Sequence, residues 1–171
     1  MVGLLGLAAV AVGPVSPAHA VTLGNPDVDE ATATFGSGCS PGPTCTYLQT
    51  RLPGANVRAP FTGFITKWRM AQPGPRTSQL AVMRKRDHGK FEAIRATDFE
   101  MAASAGTYRF DTHLRIRKGD YIALHGDGIE GRENPDAKWA YWGAPLVFGT
   151  PTNPDSTDAG NEYLYNATLR H

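Results

Sequence analysis

The side chains with most to offer chemically are basic and aromatic. Arg109, His113, Arg115 and Arg117 recur at even spacing, so in an extended chain they all point the same way. A row of cations on one face of a strand attracts anionic polymers, such as an acidic glycan or a teichoic-type polymer, or a lipid headgroup. The competing reading is an ordinary solvated face on which Lys and Arg discourage edge pairing. Trp139 and Tyr141 share one side of Trp139-Ala140-Tyr141-Trp142, and Trp142 takes the other. Exposed, these rings stack on sugars; buried, they are core. Trp139, Tyr141, Arg109, His113, Arg115 and Arg117 therefore form the candidate ligand-binding set, with an extracellular or cell-envelope polysaccharide as the expected partner.

Other constellations are weaker. If the strands on either side of Lys118-Gly119 pair as a hairpin, His113 lies near His125, and two His at that spacing suit a metal or acid–base site. A solvated surface pair is the plainer alternative. Asp127, Glu130 and Asp136 lie in a polar stretch and are calcium candidates, since Ca²⁺ takes oxygen ligands from flexible loops. Their spacing does not match an EF-hand, and Arg132 and Lys138 dilute the charge. No other cofactor is expected. The chain has no Gly-x-Ser-x-Gly elbow, no His-Glu-x-x-His pair and no phosphate-binding glycine loop, so no catalytic residue is assigned. Cys39 and Cys45 flank Ser-Pro-Gly-Pro-Thr, a turn that brings two sulfurs together, and a local disulfide is expected. Closing so small a loop stabilises by only about 2 kcal/mol.

The elements that must carry these residues read as strands. Thr107 to Arg117 alternates strictly: Tyr108, Phe110, Thr112, Leu114 and Ile116 on one face, and Arg109, Asp111, His113, Arg115 and Arg117 on the other. That is a half-buried antiparallel strand. Tyr121 to Leu124 returns as a more fully buried one. Phe64 to Met70 alternates with Lys67 and Arg69 on the outer side. Gln79 to Arg86 and Phe91 to Ile94 flank an Asp87-His88-Gly89 turn. Short strands are expected at Thr46 to Arg51, Trp139 to Trp142, Leu146 to Phe148 and Tyr163 to Leu169. Gly126 to Lys138 and Thr150 to Gly160 read as loops. The sum is all-β: a single antiparallel β-sandwich, jelly-roll-like, of about eight or nine strands.

Three segments carry a resemblance. Ala-Pro-Phe-Thr-Gly-Phe-Ile-Thr-Lys-Trp-Arg (59–69), Arg-Ile-Arg-Lys-Gly-Asp-Tyr-Ile-Ala-Leu (115–124) and Tyr-Leu-Tyr-Asn-Ala-Thr (163–168) together resemble a group of exported actinobacterial β-sandwich proteins of unknown function. The Gly119-Asp120 turn after a long strand is also similar to that of tumour-necrosis-factor-type jelly rolls. The resemblance implies a secreted sandwich and supplies no catalytic residue.

Composition agrees. Of 171 residues, 17 are Lys or Arg and 16 are Asp or Glu, a net charge of +1, which argues against a general nucleic-acid binder. Hydrophobic residues make up 41%, too many for a disordered chain, and 19 Gly with 13 Pro favour short strands and turns over long helices. Val2 to Val12 is wholly apolar or Gly, and Ala18-His19-Ala20 fits signal-peptidase cleavage after Ala20. The apolar run is too short to span a bilayer, which takes about 20 residues. The expected organisation is a signal peptide over 1–20, an irregular lead-in with a local disulfide over 21–45 in which Val21-Thr22-Leu23 is open to a short edge strand, and a sandwich domain over 46–171, secreted or associated with the cell envelope and without a transmembrane segment.

Overall fold

The structure, a computed structural model, describes residues 19–28, 33, 35–39 and 45–171. The leader up to residue 18 and the turn between the two cysteines lie outside the described residues. Twelve strands follow one another: β1 (Ala20–Gly24), β2 (Phe35–Gly38), β3 (Cys45–Arg51), β4 (Gly63–Gln72), β5 (Arg76–Lys85), β6 (Phe91–Ala96), β7 (Glu100–Ala102), β8 (Gly106–Ile116), β9 (Tyr121–Gly126), β10 (Gly128–Trp142), β11 (Ser156–Tyr163) and β12 (Tyr165–Arg170). They form two antiparallel sheets. One has four strands in the order β1-β12-β4-β8. The larger runs β11-β10-β3-β9-β5-β6, with β2 added to β10 and β7 to β5.

Both sheets contribute to one core. Ile65, Trp68 and Met70 of β4, Leu114 and Ile116 of β8, and Leu169 of β12 join Tyr47, Leu80, Val82, Ile122 and Leu124 of the larger sheet in a single buried cluster. Two sheets closing on a shared apolar layer make a β-sandwich. Tyr165 fastens the layer chemically. From β12 its hydroxyl accepts the Gln49 backbone N–H at 3.0 Å and shares its proton between the carbonyls of Ile122 (3.1 Å) and Tyr47 (3.3 Å). Those three groups belong to β3 and β9, so one phenol bridges the sheets.

The larger sheet is buried on its other face as well. Leu48, Met83, Phe91, Tyr121, Ala123 and Trp142 form a second cluster, with Val57 and Leu146 from loops packed against it. Strand β9 is consequently buried along its whole length. At its end Gly126 leaves no room for a side chain, because a Cβ there would lie 2.4 Å from the Thr77 carbonyl oxygen.

Several expectations need correction. The described residues hold twelve strands, where the pattern reads as eight or nine. Val21-Thr22-Leu23, open to a short edge strand in the sequence, lies in β1 at the sheet edge, paired with β12, whereas Phe35–Gly38, expected to be irregular, forms β2, paired with β10. Gly126–Lys138, expected as loop, is mostly β10, and the end of the 150–160 loop is β11. Both are polar because they pair with each other at the margin of the sheet, where side chains reach water. Pro135 sits in β10 where the register slips between Asn134 and Lys138, the place in a strand that tolerates a missing N–H. Leu146–Phe148 is not a strand; Phe148 makes one isolated bridge to Ala93. In β4 the simple alternation breaks at Thr66, where the register shifts against both β8 and β12. Ile65 therefore turns inward with Trp68 and Met70, while Phe64 goes outward.

Candidate functional site

The outer face of the four-stranded sheet collects the basic residues. Across β12, β4 and β8 the register sets Arg170, Phe64 and Arg115 in one row. Thr168, Lys67 and Asp111 form the next, and Asn166, Arg69 and Arg109 a third. Adjacent strands lie about 4.8 Å apart, so these side chains stand as immediate neighbours. Asp111 is the only carboxylate in the four strands, against Lys67, Arg69, Arg109, Arg115 and Arg170. The strands of the larger sheet carry as many carboxylates as cations. The positive surplus of the strands therefore sits on one face.

That face has apolar relief too. The His113 ring stacks on Phe64 with centroids 4.1 Å apart. Lys67 and Asp111 approach to 3.9 Å, but Asp111 is largely exposed, and such a pair contributes little to stability. Arg109, Arg115 and Arg170 are exposed and make no ion pair with the described residues. Arg117 follows β8 and is exposed beside Lys118. The sheet thus brings together four of the predicted residues, Arg109, His113, Arg115 and Arg117.

It does not bring them to the aromatic pair. Trp139 and Tyr141 lie on β10 in the other sheet, half-buried and packed against the shared core. The Trp139 indole meets Tyr163 edge-on at 5.8 Å, and Tyr141 tilts against Tyr47 at 5.4 Å. The Trp139 indole N–H is buried and finds no acceptor. Both rings are partly buried against the core, and Trp139 also borders a cleft on the far side of that sheet.

No family model, curated protein or solved structure matches the chain. The assignment of a site therefore rests on geometry.

The remaining candidates disperse. His113 and His125 are on different sheets, because β8 pairs with β4 and β9 with β3 and β5. No two-His site forms. His125 is buried, with Nδ1 2.9 Å from Thr46 Oγ1, and that burial pushes its pKa below the usual imidazole range against the opposing pull of the Cys45 carbonyl and the Asp127 charge. The calcium candidates Asp127, Glu130 and Asp136 are strung along or beside β10 instead of around a loop. Asp127 accepts the Thr77 N–H at 3.2 Å, and burial raises the Glu130 carboxyl above its ordinary range. No three His, Cys, Asp or Glu side chains among the described residues cluster as metal ligands. Cys39 and Cys45 form the expected disulfide, with Cα atoms 5.9 Å apart.

Arg84, Lys85 and Arg86, three consecutive cations, lie on or just after β5 in the other sheet and do not join this face. Arg84 makes a two-point hydrogen bond with buried Asp120 at 2.7 and 2.8 Å, which raises its pKa further. Arg86 pairs with Glu92. Conversely, Arg170 and Phe64 went unnoticed. The alternation of Asn166, Thr168 and Arg170 could have revealed the first, whereas the second depends on the register shift at Thr66.

Proposed function

We propose that this is an exported, non-catalytic β-sandwich module, jelly-roll-like in plan, that holds an acidic extracellular or cell-envelope polymer on the outer face of its four-stranded sheet. The concentration of Lys67, Arg69, Arg109, Arg115 and Arg170 around a single carboxylate carries the reading. A flat cationic face tracks a repeating polyanion better than it encloses a small substrate. The Phe64–His113 stack offers an apolar platform among the charges for a sugar ring. Export is supported by Ala18-His19-Ala20, after which β1 continues, by the disulfide, and by the resemblance to exported actinobacterial proteins. Among the described residues no helix is long and apolar enough to cross a membrane.

The test is retention of the purified protein on an immobilised acidic polysaccharide and on a neutral glucan. Binding to the acidic matrix that is lost in high salt supports the reading. Equal binding to both matrices, or none to either, overturns it. A second reading, a protein-interaction domain, draws on the exposed Phe99, Met101, Val147 and Phe148, apolar side chains that a partner protein would cover.

A further inference from the structure

The other side of the molecule holds a cleft of about 600 Å³, within the roughly 300–1,000 Å³ typical of small-molecule sites. It opens on the face of the larger sheet that points away from the shared core, since Phe91, Tyr121 and Ala140 in its wall belong to the second cluster. Four cations line it. Arg51 ends β3, Arg58 comes from the following loop, Lys85 ends β5, and Lys138 stands on β10 where the strand register slips. All four are exposed, and none makes an ion pair with the described residues. The one carboxylate in the wall, Asp158, accepts the Ala159 N–H at 2.7 Å. Arg58 is held in place: its Nε donates to the Tyr121 hydroxyl at 2.5 Å, and its guanidinium carbon lies 5.0 Å from the centre of that ring.

We propose that this cleft is a second anion site, separate from the sheet face, and that it takes a small phosphate-bearing ligand. Four cations arriving from four different segments approach one volume from several directions. A tetrahedral phosphate presents oxygens in several directions and satisfies them together. A planar carboxylate presents two oxygens in one plane. The two Arg supply planar forks suited to oxyanions, and the two Lys supply point charges. The surplus over Asp158 matches a ligand with more than one negative charge, such as a diphosphate. The site does not depend on the polymer reading, since it shares no residue with the basic face.

Calorimetric titration of the purified protein with pyrophosphate, and with citrate as a carboxylate of similar charge, tests the site. Pyrophosphate should bind, and citrate should bind at least about tenfold more weakly. Arg51→Ala with Lys138→Ala should weaken pyrophosphate by about a hundredfold, each lost charge-assisted contact counting roughly tenfold, while retention on acidic polysaccharide is unchanged. Lys85→Gln should weaken pyrophosphate in the same direction, and it provides the reading if the double variant does not fold. Absence of pyrophosphate binding overturns the site. Equal binding of citrate overturns the ligand class. Loss of pyrophosphate binding in Arg109→Ala/Arg115→Ala, with the cleft variants unaffected, would put the anion on the sheet face and remove the second site.

Discussion

Removing Arg109 and Arg115 together tests the basic face most directly. Both side chains are exposed on β8, and neither contacts the core, so the fold should survive. The expected effect follows from counterion release. Arg109, Arg115, Arg117 and Arg170 are the exposed arginines of this face and its margin. With the value for single-stranded nucleic acid as the upper limit for a flexible polyanion, each contact contributes about −0.7 to the slope of log affinity against log salt, so four contacts give a slope near −2.8. Raising salt from about 50 to about 200 mM then lowers affinity roughly 50-fold. With two arginines gone the slope should fall to about −1.4 and the same change of salt should cost only roughly sevenfold. The assay is affinity for a soluble acidic polysaccharide, measured by fluorescence anisotropy at four or more salt concentrations. A double variant with an unchanged slope refutes the reasoning, because the charges being released would then lie elsewhere.

Three further outcomes are expected. Tyr165→Phe removes the acceptor of the buried Gln49 N–H and should cost about 1–3 kcal/mol in chemical denaturation, whereas a neutral effect would show that the bridge between the sheets is dispensable. Burial raises the Glu130 pKa, so the folded state is penalised once pH rises above the ordinary carboxylate range; Glu130→Gln should raise the melting temperature near neutral pH and have little effect in acid, and a loss of stability at neutral pH would refute this. His125 is depressed by burial, so below its ordinary pKa of 6.5 the unfolded chain takes up the proton first and stability falls as pH drops; the denaturation midpoint should fall less in His125→Gln than in the parent, and equal falls would refute the assignment.

What could be read from the chain depended on whether a strand had one wet face. β8 was legible because its inner residues reach the core while Arg109, Asp111, His113 and Arg115 stay in water. β9, buried on both faces, was legible as a short apolar run. β10 was not, because charges fall on both of its sides at the sheet margin and Pro135 interrupts the pattern. The candidate site was half legible for a related reason. Alternation placed Arg109, Arg115 and Arg117 on one face, but which strands lie beside that face is a matter of non-local pairing. The chain suggested β8 against β9, whereas β8 joins β4. That pairing separates His113 from His125 and brings Lys67 and Arg69 to the arginines.

The position of β8 at the rim of its sheet has one more consequence. Among the described residues no strand pairs with the outer edge of this eleven-residue strand, which makes it a template on which a second copy could add. Antiparallel addition of β8 to itself about Thr112 would set Arg109 opposite Arg115 in both directions. Like charges placed directly across a ladder destabilise the pair. Arg109 and Arg115, charges of the proposed polymer face, thus disfavour that self-pairing. On the proposed function, a polyanion that neutralises them would weaken that protection and leave two β8 edges free to meet.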